Sequence, residues 1–140
     1  YSMNNTKLYR ILAIIFLTVV SIGILNGCAV KLPESFDEAE VQAAAENVVD
    51  LISKSDGQGL TAVMNDQMKA ALTEDIQAQI FALVEGSGSF EEIGELKLGG
   101  SSQNGIDYAV AVVKAKYENR EIIYTISFDQ DMKLAGLYLK

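Results

Sequence analysis

The sequence predicts an α+β domain, with two or three N-terminal helices packed on one face of a curved four-stranded antiparallel sheet. Three observations carry this expectation. Apolar residues recur at three- and four-residue spacing between Val41 and Val84, the spacing changes to alternation after Gly88, and the helical segments all precede the strands.

The first helix begins at Ser35-Phe36-Asp37-Glu38, which has capping-box spacing, with the Ser35 hydroxyl and Glu38 carboxylate placed to satisfy orphan amides. Val41, Ala44, Ala45, Val48, Leu51 and Ile52 give it one apolar stripe, and Asp56-Gly57 ends it. A shorter helix follows around Leu60, Val63 and Met64, running on toward Leu72. Thr73 reads as the N-cap of the next, with Glu74 and Asp75 in the turn where the helix dipole favours negative charge. Its apolar face is Ile76, Ile80, Leu83 and Val84, and Gly86 stops it.

Leu96 and Leu98 alternate with Glu95 and Lys97 in a first strand expected to end at Gly99-Gly100. The next two strands, Ile106 to Glu118 and Glu121 to Asp129, meet across Asn119-Arg120 as a two-residue hairpin loop. That register sets Tyr117 opposite Ile122, Ala115 opposite Tyr124, Val113 opposite Ile126 and Ala111 opposite Phe128, all on one apolar face. Asp129-Gln130-Asp131-Met132 turns the chain into a last strand, Lys133 to Leu139. The alternating acids of that turn have no central glycine or twelfth-position glutamate after them, so they read as turn chemistry rather than a calcium loop.

The N-terminal segment has a different organisation. Tyr1 and Ser2 stand ahead of Met3, which reads as the initiator. Lys7 and Arg10 then form a basic start, Ile11 to Val20 an apolar core, and Leu25-Asn26-Gly27-Cys28 a closing run of small and apolar residues. A basic start, a short apolar core and a small-residue cleavage site define a secretory signal, and the apolar core is short of the roughly 20 residues a spanning helix needs. Leu25-Asn26-Gly27-Cys28 resembles a lipobox, in which leucine at minus three and glycine at minus one direct acylation of the cysteine. Asn26 departs from the usual small or apolar residue at minus two. The resemblance implies a signal peptide over residues 1–27, a lipidated tether over 28–34 and a single domain over 35–140. Cys28 is then the lipidation site, and the location is extracytoplasmic, on the bacterial cell membrane. A tether of Ala29 to Glu34 reaches about 20 Å when extended.

The order of elements also resembles the NTF2-like (cystatin-like) superfamily. More closely, Leu51 to Leu72, Gly88-Ser89-Phe90-Glu91-Glu92-Ile93, Ile126-Ser127-Phe128-Asp129 and Lys133-Leu134-Ala135-Gly136-Leu137-Tyr138-Leu139 resemble the domain-of-unknown-function family 3887. Members of that family include lipoproteins and proteins in which the domain precedes an α/β-hydrolase. NTF2-like folds commonly enclose a cavity between the concave sheet and the helices, where the enzymes of the superfamily keep their acids and bases.

Composition removes several classes of chemistry. The chain has no histidine, which excludes the usual neutral-pH base and the histidine–cysteine, serine–histidine and histidine–zinc constellations. Its one cysteine permits no internal disulfide. All 19 acidic residues follow Cys28 while Lys7 and Arg10 precede it, so the chain from Cys28 onward has a formal charge of about −10 and would be repelled by nucleic acid. No cofactor or metal motif is present.

An acid/base pair would have to come from carboxylates and tyrosines, and Asp107 with Tyr124 is the leading pair, with Glu95 and Tyr108 also near. Asp107 shares the alternation of Ala109 and Ala111, so it is either the charged end of a strand or a group at a cavity mouth. Phe81, Tyr117, Tyr124 and Phe128 are either core or the lining of a ligand pocket, with the Tyr124 hydroxyl as polar handle. Tyr108, Val110 and Val112 lie on the other sheet face, as an apolar patch suited to a homodimer contact. The expected function is a lipid-anchored, non-catalytic module that binds a small apolar ligand or an envelope protein. The rivals are an isomerase- or dehydratase-like enzyme using Asp107 and Tyr124, and a structural dimer.

Overall fold

The computed structural model describes residues 30–140; the predicted signal peptide and Cys28 lie outside the described residues. Four helices, α1 (Glu38–Ser53), α2 (Gly57–Val63), α3 (Asp66–Ala71) and α4 (Glu74–Glu85), precede four strands, β1 (Phe90–Gln103), β2 (Ile106–Tyr117), β3 (Glu121–Phe128) and β4 (Leu134–Leu139). The strands form one antiparallel sheet in sequence order, and the helices cover one of its faces. The α+β expectation and the four-stranded meander are what the chain adopts.

Helix α1 buries Val41, Ala45, Val48, Val49 and Ile52 against the sheet. Its cap is Asp37, whose carboxylate accepts the Glu40 amide at 2.9 Å, rather than the expected Ser35. The reason is local. Phe36 donates its amide to the Pro33 carbonyl at 3.0 Å and is itself buried, so Ser35 belongs to a turn that must close before the helix starts.

The helix expected from Leu60 to Leu72 is two helices. Met64 leaves α2 in extended conformation, forms an isolated bridge with Leu134, and is followed by Asn65, whose amide bonds the Leu134 carbonyl at 2.9 Å. Asn65 then restarts the helix by accepting the Met68 amide at 2.8 Å. A main-chain contact with β4 therefore interrupts a segment whose apolar spacing reads as continuous.

Two strand expectations also change. The β2–β3 register is displaced by two residues: Ala115 pairs with Ile122, Val113 with Tyr124, Ala111 with Ile126 and Ala109 with Phe128. Because the displacement is even, the same residues still face the helices. The loop widens to Tyr117-Glu118-Asn119-Arg120, closed by the Tyr117 amide on the Arg120 carbonyl at 2.8 Å. Its outer amides are taken up elsewhere, Glu118 by the Ser89 carbonyl and Asn119 by the Ser87 carbonyl, each at 2.9 Å. Those bonds to the segment after α4 select the wider loop.

Strand β1 does not end at Gly99-Gly100 but runs through both to Gln103. The glycines serve a close approach. The Gly100 amide donates to the Val30 carbonyl at 2.9 Å, and a Cβ on Gly100 would stand 2.6 Å from both the Lys31 carbonyl oxygen and Pro33 Cδ. Residues 30–33, expected as free tether, are thus a strap laid on β1.

On the outer sheet face Val110 is buried and Tyr108 and Val112 are half-buried, so the patch predicted there exposes less apolar surface than strand alternation implies. The turn of Asp129 behaves as read from the sequence. Its Oδ1 accepts the Asp131 and Lys133 amides at 3.0 and 2.9 Å, and its Oδ2 accepts the Asn65 side chain at 3.3 Å.

Candidate functional site

The inner sheet face supplies large side chains, and the helices close over them. Tyr124 and Phe128 are fully buried and Tyr117 nearly so. The Tyr117 and Tyr124 hydroxyls share a hydrogen bond at 2.5 Å, and Ser53 Oγ at the end of α1 is 2.8 Å from the Tyr117 hydroxyl. Burial pushes the Tyr124 phenol far above its ordinary range, and the Tyr117 hydrogen bond adds to the shift. These three hydroxyls form a chain that runs from the buried Tyr124 to the half-buried Ser53. The structure therefore gives Tyr117, Tyr124 and Phe128 to packing between helix and sheet.

Asp107 stands elsewhere. It lies one residue into β2, half-buried, with its carbonyl accepting Gln130 Nε2 at 3.0 Å. Tyr124 pairs with Val113, six residues further along β2, which at about 3.3 Å per residue separates the two by roughly 20 Å of strand. The proposed carboxylate–tyrosine pair is not assembled. Glu95 is exposed on the outer face, 3.2 Å from Lys97 and 3.8 Å from Lys114.

Phe81, among the expected lining residues, borders an open groove. A solvent-open groove of about 590 Å³ lies among α2, α3 and α4, away from the sheet. Gly57, Gln58, Thr61 and Ala62 contribute one wall, Gln77, Ala78 and Phe81 the other, and Lys69 and Glu74 stand at the rim. Its fixed point is Gln77, a buried carboxamide in the apolar stripe of α4. Gln77 Nε2 donates to Thr61 Oγ1 at 3.1 Å and to the Leu72 carbonyl at 3.0 Å, which ties α2 to the α3–α4 connection. With both donors used, Oε1 remains as an acceptor on the Gly57 side. A Cβ on Gly57 would stand 3.2 Å from that oxygen and 3.6 Å from Phe81 Cε2, so the glycine keeps this corner open.

The groove offers an oriented hydrogen-bond acceptor, an aromatic wall, and one exposed charge of each sign. At its edge Ser55 Oγ donates to Glu85 Oε1 at 3.5 Å in an exposed contact. Sequence reading missed Gln77, although a signal was present: the residue falls four before Phe81 and three before Ile80, on the buried side of α4. Among the described residues, no group of three or more potential metal ligands occurs, and no helix is long and apolar enough to cross a membrane.

Four helices closed over an antiparallel meander, with an open groove on the helical layer, define a small α+β domain. The chain belongs to the family described as protein of unknown function DUF3887, whose pattern matches residues 45–137. An NMR structure of a protein from Ruminococcus gnavus ATCC 29149 has the same fold, with a TM-score of 0.70 and 24% identity, covering 78% of this chain and 96% of that one. Comparison with curated proteins finds no match.

Proposed function

We propose that this chain is a lipid-anchored, extracytoplasmic, non-catalytic binding module that captures a small apolar ligand in the groove between α2 and α4. The groove carries the binding half of the reading. An acceptor at Gln77 Oε1 beside the Phe81 ring fits a ligand with an apolar body and one hydrogen-bond donor. The anchoring half rests on the Leu25-Asn26-Gly27-Cys28 run. The separation of Asp107 from Tyr124, and the confinement of the Tyr124 hydroxyl among Tyr117 and Ser53, favour binding over the isomerase- or dehydratase-like alternative.

Native mass spectrometry of the full chain extracted from its own membrane tests both halves. The expected spectrum shows acyl mass on the wild type, none on Cys28→Ala, and a small-molecule adduct lost in Ala78→Trp, which fills the groove. An unacylated wild-type protein would overturn the anchoring. An acylated protein with no adduct, or with one that survives Ala78→Trp, would remove the groove as the binding site.

A further inference from the structure

We propose that the domain rests on the bilayer in one orientation, with the strap and the β1–β2 hairpin end against the headgroups and the Ser55–Gly57 end of the helical groove facing outward. This rests on the lipid-anchored reading of Cys28 and adds a contact surface to it. Its basis is how residue 30 is held. The Val30 carbonyl is held by the Gly100 amide at 2.9 Å, and the strap backbone lies where Cβ atoms on Gly99 and Gly100 would stand. Only Ala29 separates Val30 from Cys28, so the docked Val30 lies within about 8 Å of the acylated residue. An anchor two residues along the chain from a docked carbonyl holds a face of the domain, not merely the domain.

The chemistry of that face fits a lipid headgroup layer. Val30 and Ile106 are half exposed, at 51% and 50%, and both sit at the hairpin end of the sheet, since Ile106 pairs with Gln103 three residues beyond Gly100. From Ser101 to Ile106 the chain has no charged residue, and Lys31 on the strap is exposed and cationic. The rest of the domain is strongly acidic and would be repelled by an anionic membrane surface. Asp107 and the Asp129–Asp131 turn lie behind this uncharged run, so the contact is carried by the exposed Val30 and Ile106 side chains and by Lys31 rather than by net charge.

The orientation also places the groove. Helix α1 starts beside the strap, because Pro33 lies against Gly100 and its carbonyl holds the Phe36 amide. It ends at Ser53, bonded to Tyr117 at the opposite end of β2. The Ser55–Gly57 end of the groove lies just beyond, one helix of 16 residues or about 24 Å away, while its Lys69 rim stands one helical turn from Asn65, which bonds Asp129 nearer the hairpin end.

The test uses the acylated full chain in vesicles of phosphatidylethanolamine and phosphatidylglycerol containing headgroup-nitroxide lipids. Ile106→Cys and Gln58→Cys are each labelled with a fluorophore, Cys28 being blocked by its thioether. The expected result is strong quenching at position 106, weak quenching at 58, and convergence of the two when a long glycine–serine segment is inserted between Ala29 and Val30. Equal quenching at both positions in the acylated, uninserted protein would overturn the orientation while leaving the anchor intact. Protein that is unacylated and unquenched at both sites would overturn the anchor and the orientation together.

Discussion

The hydroxyls of Tyr117 and Tyr124 meet inside the core, one from the last residue of β2 and one from β3, with Ser53 of α1 completing the chain. Both partners of the buried hydrogen bond come from the sheet, and the third secures the end of the helix above it. Tyr124→Phe removes a bond yet leaves Tyr117 paired with Ser53. The expected loss is about 1 kcal/mol, read as a lower urea midpoint at unchanged slope.

The same buried phenol sets a pH dependence. Tyr124 is raised in the folded state, so between the unfolded value near 10 and the higher folded value the unfolded chain ionises while the folded one keeps its proton. Its contribution is fully present below about pH 10 and is lost as pH rises above that, at about 1.4 kcal/mol per pH unit for one proton. Denaturant titrations from pH 9 to 11 should show a shallower decline in Tyr124→Phe than in wild type. An unchanged slope would mean that the phenol ionises equally in both states.

Replacing Gly100 with valine should expel the strap, because the new Cβ falls 2.6 Å from the Lys31 carbonyl oxygen, which is backbone and cannot rotate aside. A loss of about 1–3 kcal/mol is expected. Trypsin should also cut after Lys31 faster than in wild type; unaltered cleavage would mean that the strap stays seated.

Asn65 caps α3 with its side-chain oxygen and supports the Asp129 turn with its amide. Asn65→Ala removes both, and a loss of about 1–2 kcal/mol is expected. Asn65→Asp retains the cap but sets two carboxylates against each other, so its midpoint should rise toward wild type as pH is lowered through the carboxylate range.

Ser101 Oγ is buried with no hydrogen-bond partner. Burying an unpaired hydroxyl carries a desolvation cost, so Ser101→Ala should be neutral or stabilising by up to about 1 kcal/mol. A clear destabilisation in thermal melts would show that the hydroxyl has a partner in solution.

The α+β class, the inward set Ala109, Ala111, Val113, Ala115, Ile122, Tyr124, Ile126 and Phe128, and the turn role of Asp129 were all legible in the sequence. Each follows from short-range rules: alternation along a strand, spacing along a helix, and an aspartate bonding amides two and four residues on. Contacts between distant segments decided the rest. The hairpin register depended on Ser87 and Ser89 capturing the loop amides and the break at Met64 on a main-chain bond to Leu134; the length of β1 is the exception, set by a local signal that went unread, the Asn104-Gly105 turn with positive φ at both residues that pairs Gln103 with Ile106. Gln77 reads as an interruption in an apolar stripe until Thr61 and the Leu72 carbonyl fold onto it, and only then does its remaining oxygen become a feature of a groove. Periodicity reports which way a side chain faces. What it faces is a property of the partner segment, and local sequence contains no term for that.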